Sequence, residues 1–292
     1  MPDPAPALSD PLTTLLLSLP GVGSDPAITA VLSAMRGGAM LGHTGCDLAV
    51  VAAAAGVPAY DLHARLIASG LAAVATASAP TTPLVIDGGR VADRRTWMHE
   101  RALADLLIAR ARERVGILSG NLPLVAEIAR VLPVDAARHA LSAGGVHWQR
   151  LAACTALSRG LTLVTGGPGT GKTTVAAVVV GLVALARARE GGDPPQVVLA
   201  APTAKAAQRL AEAVRHELVA RGLAESDAVS RLAGWTSTLH RLFHDPRAAS
   251  ADLAVIDEVS MADVATLRRA LERLPAGCRL LLLGDPDQLA SV

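Results

Sequence analysis

Nine consecutive residues near the middle of this chain have the types and spacing to hold a triphosphate. Gly166-Gly167-Pro168-Gly169-Thr170-Gly171-Lys172-Thr173-Thr174 fits the pattern G-x-x-x-x-G-K-[ST]. Glycines let successive backbone N–H groups turn inward around phosphate oxygens at a helix N-terminus. In that setting Lys172 would reach the β- and γ-phosphates, and the Thr173 hydroxyl would ligate Mg²⁺. A phosphate loop needs a carboxylate pair at the end of a neighbouring strand, and Leu253-Ala254-Val255-Ile256-Asp257-Glu258 supplies one. Asp257 would hold Mg²⁺ through water and Glu258 would polarise the attacking water, although two adjacent acids after a strand can also be a simple helix cap. Another apolar segment ends in Gly284-Asp285-Pro286-Asp287-Gln288-Leu289. That ending would place the Gln288 amide near the γ-phosphate, the plainer reading being a polar turn. Activated water implies hydrolysis, which favours a motor or switch ATPase over a small-molecule kinase.

These groups need a scaffold that brings several strand ends together. From residue 146 onward the chain reads strand–helix–strand–helix. Segments 161–165, 196–200, 253–256 and 279–283 are short, apolar and nearly free of charge, as strands buried on both faces must be. Helical segments at 172–189, 203–221 and 262–274 separate them. This alternation predicts an α/β fold, a parallel sheet with crossover helices. Residues before 140 read differently. Helical periodicity occupies 25–35, 47–55 and 60–69, a Pro/Thr/Ser loop covers 76–83, and a short hairpin turns at Asp87-Gly88-Gly89. Segment 97–114 is an amphipathic helix with Leu103, Leu106, Leu107 and Ala111 on one side and Arg110, Arg112 and Arg114 as a solvated face. Helices at 122–131 and 135–142 lead to Gly144-Gly145, a domain boundary. The predicted organisation is a mostly α-helical accessory or docking domain with a small β-hairpin at 1–143, then a P-loop ATPase domain at 144–292. Segment 47–71 with the hairpin also fits a winged helix, and 19–23 a helix–hairpin–helix. In the winged helix only His63 and Arg65 could read bases, with Asp61 opposing them, and in the helix–hairpin–helix Asp25 sits where a basic residue would help, so protein docking is the better reading.

Composition narrows the classes. The 292 residues are 51% hydrophobic but only 2% aromatic, with a formal net charge of +1. That balance excludes a histone-like basic binder while leaving room for a local nucleic-acid groove. No uninterrupted apolar run reaches the roughly 18 residues of a spanning helix, and the acidic, Pro-rich N-terminus is not a signal peptide. Cys46, Cys154 and Cys278 lie far apart without metal or redox spacing, so a reducing cytoplasm is expected. Of the 27 basic residues all but two are arginines. The exceptions, Lys172 and Lys205, are therefore informative.

Five motifs occur in order: the phosphate loop, Ala201-Pro202-Thr203-Ala204-Lys205-Ala206-Ala207, Thr238-Leu239-His240-Arg241-Leu242, Asp257-Glu258-Val259-Ser260-Met261, and Gly284-Asp285-Pro286-Asp287-Gln288-Leu289. Together they resemble motifs I, Ia, Ib, II and III of superfamily 1 DNA helicases of the 5′→3′ branch, and most closely the RecD family, the alpha subunits of exodeoxyribonuclease V. Val146-His147-Trp148-Gln149-Arg150-Leu151-Ala152-Ala153 looks like that family's entry to the motor, with Gln149 reading the adenine edge. Upstream, 25–29, Gly42-His43, Cys46, 83–90, Trp97 and Glu100-Arg101 resemble its N-terminal domain, with one extra residue of spacing around His43 and Cys46. Ala204 stands where the family usually has glycine.

The resemblance implies a RecA-like domain that binds ATP and Mg²⁺, with Gln149, Gly166, Gly167, Pro168, Gly169, Thr170, Gly171, Lys172, Thr173 and Thr174 around the nucleotide. It implies Thr203, Lys205, Thr238 and His240 along single-stranded DNA, RecB-like and RecC-like partner subunits, and repair at duplex ends. Phe243 and Trp235 are read as core residues before base-stackers. No nuclease carboxylate cluster is visible. Motifs IV to VI of a second RecA-like domain are not found, so an incomplete motor unable to unwind is expected. The alternatives are an ATP-binding docking module or remnant, another 5′→3′ helicase, and a nucleotide switch or kinase.

Overall fold

Apolar side chains at helical and alternating spacing gather into separate cores, and the chain divides after Arg101 into two compact units. The structure, a computed structural model, describes residues 14–16, 18–19, 22–76, 80–113, 122–133, 146–223 and 235–288. The predicted helix at 135–142, the Gly144-Gly145 boundary, Arg114 and Leu289 lie outside the described residues, as do parts of the 19–23 segment and the 76–83 loop.

In the first unit, helices α1 (Pro26–Met40), α2 (Leu48–Ala54) and α3 (Ala59–Ala68) pack on a small sheet. Asp25 and Asp47 start α1 and α2 by accepting backbone N–H bonds from their first turns. Strands β1 (Cys46–Asp47), β2 (Ala72–Val74), β3 (Leu84–Asp87) and β4 (Arg90–Asp93) stand in the order β1-β4-β3-β2. The β3–β4 hairpin turns through Gly88 and Gly89, both at positive φ, as a two-residue turn of that hand requires. Strand β1 pairs antiparallel with β4. The succession is helix, strand, two helices, the short strand β2 running parallel to β3, and the hairpin. The sheet is larger than the lone hairpin read from sequence, because two- and three-residue strands are too short to show a period. On α3, Tyr60 is 78% exposed, and Arg65 pairs with Asp61 at 2.8 Å.

The second unit is built on five parallel strands in the order β5-β9-β8-β6-β7: β5 (Leu161–Thr165), β6 (Val197–Ala201), β7 (Trp235–Thr238), β8 (Leu253–Ile256) and β9 (Arg279–Gly284). The strand preceding the phosphate loop is thus separated from the carboxylate strand by one inserted strand, β9, the arrangement of a RecA-like sheet. Strand side chains alternate between two cores. Val197, Leu199, Leu253, Val255, Leu281 and Leu283 face α7 (Lys172–Arg189) and α8 (Ala204–Ala220), while Val198, Ala200, Ala254, Ile256, Leu280 and Leu282 face the opposite core with α9 (Leu239–Leu242) and α10 (Val264–Glu272). Both faces of β6, β8 and β9 are therefore buried, as their continuous apolar composition predicted. Strand β5 departs from that expectation: it is at the end of the sheet, and Leu163 is 61% exposed.

Two further points correct the sequence reading. Helix α4 (Arg94–Arg112) places Leu103, Leu106 and Leu107 against the second core as expected, but Ala111 is exposed and Arg110 is buried. Positions 103, 106, 107 and 110 follow i, i+3, i+4, i+7, so Arg110 belongs to the apolar stripe and not to a solvated face. Strand β7, Trp-Thr-Ser-Thr, was not expected as a strand because it lacks a run of apolar residues. The remaining described α-helices of this unit are α5 (Leu122–Val131) and α6 (Trp148–Ser158).

Candidate active site

The phosphate loop, residues 166–171, joins β5 to α7. Its glycines are required sterically. Gly169 and Gly171 have φ of +74° and +88°, and a Cβ on Gly166 would lie 2.8 Å from Thr170 Oγ1. The Thr170 hydroxyl donates to Gly167 O at 2.8 Å, and Lys172 Nζ reaches back to donate to the carbonyls of Gly166 and Gly167. The lysine charge is thereby held over the loop at the N-terminus of an 18-residue helix, where an anion is favoured. A loop whose turns need positive φ at Gly169 and Gly171, topped by a cation, fits phosphate oxygens.

Parallel pairing sets the acids beside it. Thr165 is in register with Gly284, Gly166 N donates to Gly284 O at 3.2 Å, and Ile256 is in register with Leu282. The carboxyl ends of β5, β9 and β8 are therefore consecutive, the position where open α/β sheets bind ligands. Burial pushes the Asp257 carboxyl above the usual carboxylate range, against the opposing effects of the Glu258 N–H bond and the Lys172 charge. Glu258 N donates to Asp257 Oδ1 at 2.8 Å. Glu258 has φ 53° and ψ 39° and is the one non-glycine residue at positive φ among the described residues. Left-handed backbone costs an L-residue about 1–2 kcal/mol and tends to persist at functional sites. The simple helix-cap alternative for the pair does not fit, since Glu258 makes no side-chain cap bond and only a three-residue turn follows.

At the end of β9, Gln288 is exposed on a turn shaped by Asp285. Asp285 is buried, its carboxylate accepts Asp287 N–H at 3.1 Å, and its carbonyl accepts Gln288 N–H at 3.3 Å. Asp285 was given no role from sequence, although an acid directly after a buried strand is the signal of an Asx turn. Gln149, on the first turn of α6, donates from Nε2 to Thr170 O at 3.0 Å.

The residues read as DNA contacts lie farther along the same sheet edge. Thr203 caps α8 after β6, accepting Ala206 N–H at 3.2 Å, and Thr238 ends β7 and accepts Arg241 N–H at 3.2 Å. Ala201 and Thr238 are in register. Each cap uses an acceptor lone pair and leaves the hydroxyl proton to donate. Lys205 and His240 are exposed. His240 also makes an edge contact with Phe243, which is buried, as is Trp235. The two aromatics are core residues.

The AAA domain family matches residues 149–292. The RecBCD enzyme subunit RecD of Mycolicibacterium smegmatis is 36% identical over 293 residues, covering 96% of this chain and 49% of that protein. The RecBCD enzyme subunit RecD of Mycobacterium tuberculosis is 36% identical over 281 residues, 91% of this chain and 44% of that protein. An ATP-dependent RecD2 DNA helicase of Deinococcus radiodurans is 38% identical over 133 residues, 45% of this chain and 16% of that protein. The chain spans about half the length of the first two relatives. With its phosphate loop and RecA-like strand order, the chain is similar to RecD subunits of RecBCD enzymes over almost all its length, and residues 149–292 match the AAA domain family.

Proposed function

We propose that this chain is part of an ATP-driven 5′→3′ DNA motor, the RecD-type subunit of a helicase–nuclease that acts at double-strand ends in recombinational repair. The observation that carries this reading is the sharing of one sheet edge. Phosphate-loop and carboxylate residues end β5, β9 and β8, and Thr203 and Thr238 end β6 and β7 immediately beyond. Asp257 N donates to Ala200 O at 2.9 Å, tying the hydrolytic strand to the strand that precedes Thr203.

Lys172 and the loop N–H groups of 166–174 hold ATP phosphates. Thr173 would hold Mg²⁺ by its hydroxyl and Asp257 through water, few protein oxygens being enough because this ion keeps waters and phosphate oxygens. Glu258 orients the attacking water, and Gln288 senses the γ-phosphate. Thr203, Lys205, Thr238 and His240 position a single-strand backbone, the lysine by charge and the threonines by their hydroxyl donors. We assign residues 144–292 to the motor and 1–143 to an accessory domain that docks RecB-like and RecC-like subunits. A reducing cytoplasm suits three free cysteines. Among the described residues no helix is long and apolar enough to cross a membrane.

The test is ATP turnover with and without single-stranded DNA. Stimulation by DNA, lost by about a hundredfold or more in Lys172→Ala, supports the motor. Nucleotide binding without DNA-stimulated turnover would instead make the chain a docking module. Turnover indifferent to DNA would point to a switch or kinase.

A further inference from the structure

Gln149 touches the phosphate loop from outside it. Its Nε2 donates to Thr170 O at 3.0 Å, across 21 residues of sequence. Its side chain also lies flush against the next residue: a Cβ added to Gly171 would fall 2.1 Å from Nε2 and 3.2 Å from Cδ. Gly171 opens α7 in left-handed conformation with no side-chain cap. The loop therefore enters its helix at a residue that has given up its own side chain, and the Gln149 amide occupies the space. The carbonyls of Gly166 and Gly167 are bonded from within the loop, by Lys172 and Thr170, while Thr170 O is bonded by α6.

We infer that Gln149 is a positioning residue for the phosphate loop, a brace that acts on every phosphate-bearing ligand whatever base it carries. An amide side chain has two N–H donors and one acceptor. One donor is committed to Thr170, so the other donor and the oxygen remain for a base, and the bracing role neither needs nor forbids that contact. Without the brace, Thr170 O and Gly171 lose their contact with α6, and the loop N–H groups no longer start in the concave arrangement that phosphate requires. Preorganisation of this kind appears in affinity as an ordering cost avoided.

This inference rests on the ATP-binding reading of the loop, and its test separates the two. Binding of ATP, ITP and inorganic tripolyphosphate is measured for the full chain and for Gln149→Met, which keeps bulk against Gly171 but has no donor, and Gln149→Ala. In parallel, hydrogen exchange of segment 166–174 is followed without ligand. The brace predicts affinity about three- to tenfold weaker for all three ligands alike and faster exchange in both variants. A loss confined to ATP, with ITP and tripolyphosphate unchanged, overturns it in favour of base reading alone, and so does unchanged exchange. Should the unaltered chain bind none of the three, the ATP-binding reading fails, while the exchange comparison still decides the brace.

Discussion

Asp257 is held in a position that costs the protein stability, since burial outweighs the nearby Lys172 charge. Its carboxyl is pushed above the usual range by burial, so the folded chain binds a proton more tightly there than the unfolded chain does. Stability is then lost as pH rises through the carboxylate range, and the cost is full once Asp257 is ionised. Asp257→Asn should therefore stabilise the ligand-free chain at pH 7 by about 1 kcal/mol while abolishing hydrolysis, since the amide oxygen can still accept the Glu258 N–H. That gain should fade as pH falls toward about 4, where an ordinary Asp is itself protonated. Urea unfolding at pH 7 and pH 4 checks the difference, and equal stabilities at pH 7 would refute it. The groups concerned were legible in the sequence because they are contiguous: a phosphate loop and an Asp-Glu pair are each written in a few neighbouring residues. Gln149 was legible only as a candidate base reader. Its bond to Thr170 depends on how α6 approaches the loop, which no local pattern encodes.

Among the elements, buried strands were the most readable. Segment 253–256 matches β8 and 279–283 falls one residue short of β9, because a strand covered on both faces must be uniformly apolar; 161–165 matches β5 by its composition, although one of its faces is open at Leu163. β7 was missed for the same reason in reverse, its sheet position being set by pairing with β6 and not by hydrophobicity. Arg110 shows a charged residue hidden by its charge. Nη1 donates to Pro275 O at 3.1 Å and Cys278 O at 2.8 Å, and Nη2 to Leu271 O at 3.3 Å and Leu274 O at 3.0 Å. These carbonyls close α10 and the turn leading to β9, where a cation also meets the favourable end of a helix dipole. Arg110→Met fills similar space but removes every one of these bonds; Leu271 O and Pro275 O keep the N–H groups of Leu274 and Cys278, while Leu274 O and Cys278 O lose the guanidinium donor, and the chain should be destabilised by about 2–4 kcal/mol. Chemical denaturation measures this, and a change under about 0.5 kcal/mol, the range of ordinary surface substitutions, would show the carbonyls to be satisfied otherwise.

The described residues form cores that belong to different stretches: one drawn from residues 16–91, a small one of Val85, Ala92 and Trp97, and two from the faces of the five-stranded sheet. A single cooperative transition is not required of such a molecule. Calorimetry should resolve two transitions, of which Mg·ATP raises only the one belonging to the sheet unit, by about 2.7 kcal/mol at a hundred times its dissociation constant. Both transitions moving together would contradict this. The outermost strand has a bearing on how the protein behaves in the tube. Leu163, largely exposed on β5, faces the side where α9 and α10 cover the inner strands and leave the margin bare. Exposed strand margins with an apolar side chain invite strands of other molecules to add on, and lysine is a common natural deterrent. This chain uses lysine only twice, so the deterrent is absent here. Leu163→Lys should lower light scattering in concentrated solution and leave ATP affinity unchanged. Scattering unaffected by the substitution would free that margin of blame. Scattering that falls would mean that the colloidal behaviour of the protein turns on one leucine at the margin of its sheet.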